Sequence, residues 1–501
     1  MKKLVLSGII LLTGILLTAC GSNQTETEKL QVMTSFYPMY DFTKNIVGDV
    51  GEVELLVPAG TDAHDYEPSA KKMAQLQESD VFVYNNENME TWVPDVETTL
   101  KEGDVKIIKA TKDMVLLPGS EEEGHDHDHS EAGHSHELDP HVWLSPKYAA
   151  KQVAIIRDQL SEAYPEQANQ FNENAEKYLA KLTDLDQAYT EKLSTATQKN
   201  FVTQHTAFSY LALDYGLNQV SISGISSTQE PTTSRLAELK SYVEDNDLKY
   251  IYFEKNASDN VARTLADETG LELLILNPLE GLTKEQTEAG EDYVSIMTEN
   301  LDNLAKTINQ ETTSKAPEKQ VEKSVYNGYF ADEDVENRPL SNWSGKWQSV
   351  YPYLEDGTLD QIFDYKAKLK QDKTAEEYKE YYTTGYQTDV EKIEITKDTM
   401  KFTKADGTSE ESKYQTKGYQ ILDYEAGNRG VRYLFEAVDK NSPYRYVQFS
   451  DHSITSSDSG HFHIYFGADS QEALLAEMDH WPTYYPEKMS GITIAQEMMA
   501  H

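Results

Sequence analysis

Cysteine is almost absent: Cys20 is the only one in 501 residues. No intrachain disulfide can form, and no core uses paired thiolate ligands. Basic charge is also scarce. Against 86 Asp and Glu stand 45 Lys and Arg, a formal net charge of −41. That balance argues against nucleic acid as a partner, because phosphate binding needs clustered cations. It suits a solvated surface whose field concentrates cations nearby. Long apolar runs are missing too. The run at residues 4–17 is too short and wrongly flanked for a permanent membrane span. What is present is core-forming material. Hydrophobic residues make up 38% and aromatic residues 10%, which excludes a disordered chain. The length points to two or three domains.

The apolar run follows Lys2 and Lys3 and ends in Leu17-Thr18-Ala19-Cys20-Gly21-Ser22. It resembles the lipobox of bacterial lipoprotein signal peptides. The resemblance implies that residues 1–19 are removed and that Cys20 carries lipid. The chain would then sit on the extracellular face of the bacterial cell membrane, with residues 20–29 as a polar tether.

Beyond the tether, short apolar runs alternate with helical patterns. Strands are expected at residues 30–36, 53–57, 81–84 and 105–109, with helices at 39–47, 69–78 and 91–100. This rhythm predicts a parallel sheet covered by helices. A polar break covers 121–137. Residues 146–199 then have helical composition, interrupted at Pro165. From Glu166 to Tyr215 there is neither Gly nor Pro, and Phe171, Ala175, Tyr178, Leu182 and Leu185 keep helical spacing. The alternation resumes to about residue 308. The pattern therefore predicts two α/β lobes joined by one long helix, over residues 30–309. Residues 310–323 are polar with Pro317 and read as a linker. Residues 324–501 open with crowded Trp and Tyr and continue as short alternating runs, which predict an antiparallel β-barrel.

The histidines carry the chemistry. Five of the 13 lie in one tract: His125, His127, His129, His134 and His136, interleaved with Asp and Glu. The tract has no apolar anchor. Imidazole beside carboxylate suits divalent transition metals, so an auxiliary collector or sensor is expected there. The alternative is a merely solvated loop or an artificial tag. Four other residues occupy loops beside expected sheet ends, where open α/β sheets place ligands. His64 and His141 come from the first lobe, His205 and Glu280 from the second, so they could meet across a cleft. In the last segment His452, His461 and His463 form an H-x8-H-x-H pattern. On a strand His461, His463 and Tyr465 would share a face. A three-His metal site is expected there, with surface histidines as the alternative.

The segments PAGTDAHDYEPS, DPHVWLSP, VTQHTAFSYLALDYG, STQEPT and NPLEGL resemble the metal-binding lipoproteins that serve zinc and manganese ABC importers. The resemblance covers residues 30–309. It implies a ligand set of His64, His141, His205 and Glu280, and an ABC permease as partner. Manganese members carry a carboxylate where this chain has His205. Three imidazoles and one carboxylate favour tetrahedral Zn²⁺ over Mn²⁺. Asp65, Asp139 and Glu254 are expected to support the site without ligating. The segments YNGYF, NWSGKWQSVYPYL and SDHSITSSDSGHFHIYFG are similar to the ZinT family of zinc-binding proteins, implying a calycin-like (lipocalin-like) barrel. His480 and His501 match no ligand motif.

A closed four-ligand site stores or transfers metal and does not activate water, so a non-enzymatic carrier is expected, as a monomer, with Zn²⁺ as cargo. The C-terminal domain would be an auxiliary collector. One rival is a zinc hydrolase at the three-His cluster. No H-E-x-x-H stretch supports it and no general base can be named. The other rival is a surface adhesin with a structural metal.

Overall fold

The protein is described by a computed structural model covering residues 29–119, 138–225, 231–255, 260–308, 323–424 and 427–499. Cys20 with its signal-like run, the tether up to residue 28, the tract from His125 to His136, residues 310–322 of the expected linker, and His501 lie outside the described residues.

The first lobe is a parallel sheet of β1 (Leu30–Thr34), β2 (Gly51–Leu55), β3 (Val81–Tyr84) and β4 (Lys106–Lys109), in the order β2-β1-β3-β4. Every residue of β3, VFVY, is buried. Such a run is what a strand covered on both faces requires. The second lobe repeats the order with β5 (Asn200–Thr203), β6 (Asn218–Ser221), β7 (Tyr250–Phe253) and β8 (Glu272–Ile275), arranged β6-β5-β7-β8. In each lobe the first strand lies between the second and third. The winding direction reverses there, which opens a crevice at the carboxyl ends of the strands.

One helix, Ala168–Leu193, ties the lobes together. Its 26 residues span about 39 Å at 1.5 Å per residue. Phe171, Ala175, Tyr178, Leu182, Leu185, Tyr189 and Leu193 form its buried stripe. Two phenols bolt it to its neighbours: Tyr178 donates to Asp41 at 2.6 Å, and Tyr189 donates to the Met297 carbonyl at 2.7 Å. The preceding helix, Pro146–Ala163, stops just before Pro165, where the sequence marks a break.

The last segment is a closed antiparallel barrel of β9 (Gly345–Ser349), β10 (Val390–Ile395), β11 (Thr399–Lys404), β12 (Ser409–Asp423), β13 (Arg429–Ala437), β14 (Tyr446–Ser450), β15 (Phe462–Gly467) and β16 (Thr483–Pro486). Pairing of β16 with β9 closes it and removes both edges. The tyrosine-rich stretch after β9 is helical, at Asp360–Lys370 and Ala375–Tyr386. Thr374 and Glu377 form a capping box at the start of the second helix.

The barrel domain packs on both lobes. Leu116, Leu117, Val142, Tyr148 and Tyr210 share one apolar cluster with Leu354, Ile362, Phe363, Ile494 and Met498. Gln496 clasps Leu116 like a neighbouring strand, accepting from its N–H and donating to its carbonyl, both at 2.8 Å. Lys368 pairs with Asp214 at 2.6 Å.

Candidate metal centres

Three residues of the first quartet follow strands of their sheets, and the fourth, His141, opens a short helical turn. His64 follows β2. Its backbone N–H donates to Asp62 at 2.8 Å, an Asx turn that aims the ring inward. His141 stands before the turn Val142–Leu144. His205 follows β5 and Glu280 follows β8. The four side chains converge. His64 Nε2 lies 3.1 Å from His141 Nε2, which lies 3.3 Å from His205 Nε2. Glu280 Oε1 lies 3.5, 3.6 and 3.3 Å from the Nε2 atoms of His64, His141 and His205. Zinc bonds of about 2.0–2.1 Å in a tetrahedron set ligand-to-ligand edges of about 3.3–3.4 Å. The observed edges bracket that value. Glu280 Oε1 is buried and has no hydrogen-bond donor, which is the condition of an atom awaiting a cation.

The supporting carboxylates fix which nitrogen faces the centre. Asp139 Oδ1 lies 2.8 Å from His141 Nδ1, and Glu254 Oε1 lies 2.5 Å from His205 Nδ1. Both rings therefore carry their proton on Nδ1 when neutral and present the Nε2 lone pair. Burial alone would lower the pKa of His141, but the Asp139 charge overrides it and the value is raised. His205 is likewise disfavoured by burial, yet Glu254 and Glu280 lift it well above the ordinary value. Burial pushes Glu280 up, and the three imidazoles more than reverse this, holding it well below the carboxylate range. Asp65 is exposed and outside the cluster, unlike the other two expected supporters.

Three features escaped the sequence. Leu279, next to Glu280, has φ of +59°, a left-handed conformation rare for a branched side chain. Trp143 donates from Nε1 to the Pro278 carbonyl at 2.7 Å and so pins the Glu280 loop to the His141 loop across the cleft. Asn300 braces the same loop twice, with both hydrogen bonds to the Asn277 backbone at 2.8 Å. The NPLEGL run with its Asn and Pro was the available signal for an unusual turn. Nothing local pointed to Trp143 or Asn300.

The second cluster forms where β14 ends and β15 begins. His463 lies on β15, which starts at Phe462, so His461 stands one residue before the strand. The centroids of His452, His461 and His463 lie 5.5, 6.1 and 6.3 Å apart. In the first quartet the three rings lie 5.1, 5.2 and 6.0 Å apart. The second set is slightly wider. Each ring is held: His452 stacks on Tyr326, His461 on Tyr485, and His463 Nδ1 lies 2.7 Å from the Thr483 hydroxyl. Burial pushes the pKa of His452 down, so its ring stays neutral more readily. His480 lies apart, beside the Gln387 carbonyl.

Comparison with known proteins agrees with this division. The zinc-uptake complex component A family model matches residues 32–307, and the ZinT family model, described as a periplasmic lipocalin-like zinc-recruitment domain, matches residues 321–501. The chain is 56% identical to the zinc-binding lipoprotein AdcA of Streptococcus pneumoniae strain R6, over 100% of both chains. It superimposes on the crystal structure of Zn(II)-bound AdcA from Streptococcus pneumoniae with a TM-score of 0.86, covering 95% of this chain and 100% of that one. The Zn(II)-bound ZnuA-like domain of the same protein matches with a TM-score of 0.50 at 54% identity, covering 56% of this chain and all of the domain.

Proposed function

This chain belongs to the zinc-uptake complex component A family, with a ZinT domain joined behind it, and from that premise we propose that it captures Zn²⁺ and delivers it to the permease of an ABC importer. The observation that carries the reading is the His64–His141–His205–Glu280 tetrahedron, whose ligand atoms all lie within 4.8 Å of one another. His64, His141, His205 and Glu280 are the ligands of the first site. Four protein ligands leave no open position, so the ion is held as cargo rather than used to activate water. Asp139 and Glu254 orient two of the imidazoles. Release follows from separation of the lobes or withdrawal of the His64 loop against the permease.

His452, His461 and His463 form a second, auxiliary site. Residues 310–323 keep it at high effective concentration beside the first. The tract His125, His127, His129, His134 and His136 gathers metal in transit. Cys20 carries the lipid that holds a monomer on the extracellular face of the membrane. A hydrolytic role for the second cluster is not favoured. The only carboxylate lining its cavity among the described residues is Asp451, which is ion-paired with Arg338 at 2.6 Å and is not free to act as a base. Similar proteins are named for zinc binding and zinc uptake. The adhesin reading is not favoured.

Growth of a strain lacking the native gene, in chelator-treated medium, tests the reading. The wild-type chain should restore growth, and His141→Ala should fail unless zinc is added. Rescue by His141→Ala without added zinc, or rescue of that variant by manganese alone, would overturn it.

A further inference from the structure

Two of the three histidines of the second cluster, His452 and His461, stand on the segment that joins β14 to β15. Residues 451–461 of this segment, DHSITSSDSGH, carry neither helix nor strand. A polar chain of this kind samples many conformations when nothing holds it. A metal bridging its two ends would then have to order it, and that cost would be set against binding.

The order is imposed from outside the segment. Residues 336–342, just before β9, run along it. The Glu336 N–H donates to the Ile454 carbonyl at 2.9 Å, and the Ser459 N–H donates to the Asn342 carbonyl at 2.8 Å. The Ser456 N–H donates to Glu336 Oε2 at 3.0 Å. Between these contacts Arg338 grips the segment in two places. Its Nη1 donates to Asp451 Oδ1 at 2.6 Å and to the Ser453 carbonyl at 3.3 Å, and its Nη2 donates to the Ser457 carbonyl at 2.8 Å. Asp451 and Ser453 flank His452, and Ser457 lies on the way to His461. The guanidinium itself is held over the Trp343 ring at 4.2 Å and beside the Tyr433 ring at 5.1 Å.

The ion pair is internal: the Arg338 and Asp451 side chains are 0% and 5% exposed. Apolar residues in place of a buried ion pair are often neutral or stabilising, so stability alone does not account for this one. A planar fork with fixed donor directions suits a different task, which is to hold one loop conformation. We propose that Arg338 is a positioning residue of the second site. By tying Asp451, Ser453 and Ser457 together it sets the spacing of His452 and His461 before metal arrives. It acts through the segment that carries these ligands. This rests on the reading of the three imidazoles as a zinc site.

The full chain with His141→Ala and His205→Ala, which silence the first site, is titrated with Co²⁺. The visible d–d bands that vanish on a further His463→Ala change report the second site. Arg338→Lys keeps a cation against Asp451 but lacks the fork that also reaches the Ser457 carbonyl. Its bands should be displaced, and about tenfold more Co²⁺ should be needed, the lower end of what residues supporting metal ligands contribute. Glu336→Ala loosens the same segment from an exposed position and should raise the requirement less. Met400→Ala alters the buried core on β11, four strands from β15 in either direction round the barrel. It should leave both the bands and the Co²⁺ requirement unchanged. An unchanged requirement in Arg338→Lys, or in Glu336→Ala where Arg338→Lys does not fold, overturns the proposal. Equal weakening by Met400→Ala also overturns it, because Arg338 would then be a general stabiliser of the barrel. Absence of any bands that depend on His463 overturns the metal site itself, and the proposal with it.

Discussion

Replacing Glu254 by Gln tests how the first site is tuned. Glu254 and His205 are 4% and 0% exposed, and Oε1 lies 2.5 Å from Nδ1. The amide can still accept from Nδ1–H, so geometry survives while the charge is lost. Loss of such an orienting partner costs about 10–100-fold in metal affinity, or about 1.4–2.7 kcal/mol. The deficit should depend on pH in a definite direction. In the metal-free protein, burial disfavours the His205 imidazolium, but Glu254 overrides burial and the pKa stands well above the ordinary value. Zinc must displace that proton. Below the raised pKa the wild type loses up to about tenfold in affinity per pH unit for this proton. The variant loses its proton more easily and escapes that competition. The gap between the two should therefore be widest in alkaline solution and narrow on acidification. The stability of the metal-free fold shows the matching sign. The stabilising share of the His205–Glu254 pair is fully present below about pH 6.5 and fades as pH rises through the raised pKa. Competition titration with a zinc chelator across pH measures the first effect. A gap that widens on acidification, or no loss at any pH, would refute the reasoning.

Further outcomes are expected elsewhere. Trp143→Phe leaves the buried Pro278 carbonyl without its donor, which should cost about 1–3 kcal/mol in urea unfolding and weaken zinc binding at the first site but not the second. Lys368→Met leaves Asp214, whose side chain is 3% exposed, with the Ser145 hydroxyl but no cation at the contact between domains. Calorimetry should show a loss of up to about 3 kcal/mol, the lower range for breaking a buried pair, and the two domains should unfold in more separate steps. Gly385→Ala places a methyl group into the Trp481 ring, which packs 5.9 Å from His463. Overpacking of about 1–3 kcal/mol should follow, with weaker metal retention at the second cluster only.

The first site was legible in the sequence because His64, His205 and Glu280 stand in loops after short apolar strands and His141 stands just before a helical turn. Alternation of β and α segments is a local pattern, and it places those loops at one end of a sheet. The long helix was legible for the same reason, since its buried stripe from Phe171 to Leu193 is written at helical spacing. The Leu279 conformation and the Trp143–Pro278 bond were not, because both exist only when distant segments meet. The helices Asp360–Lys370 and Ala375–Tyr386 had a readable start signal in Thr374 and Glu377, but their tyrosines suit a strand equally well. Lys366 reads as a surface residue in a charged helix, and only packing of that helix against the barrel buries it.

The most direct test of the two-site account is zinc stoichiometry after exhaustive dialysis. The chain would begin after Cys20 and lack residues 121–137, so that neither lipid nor the His-rich tract contributes. The account predicts two retained zinc ions, one lost in His205→Ala and the other lost in His463→Ala. Full retention in His205→Ala, or no zinc retained by the parent chain, would contradict it.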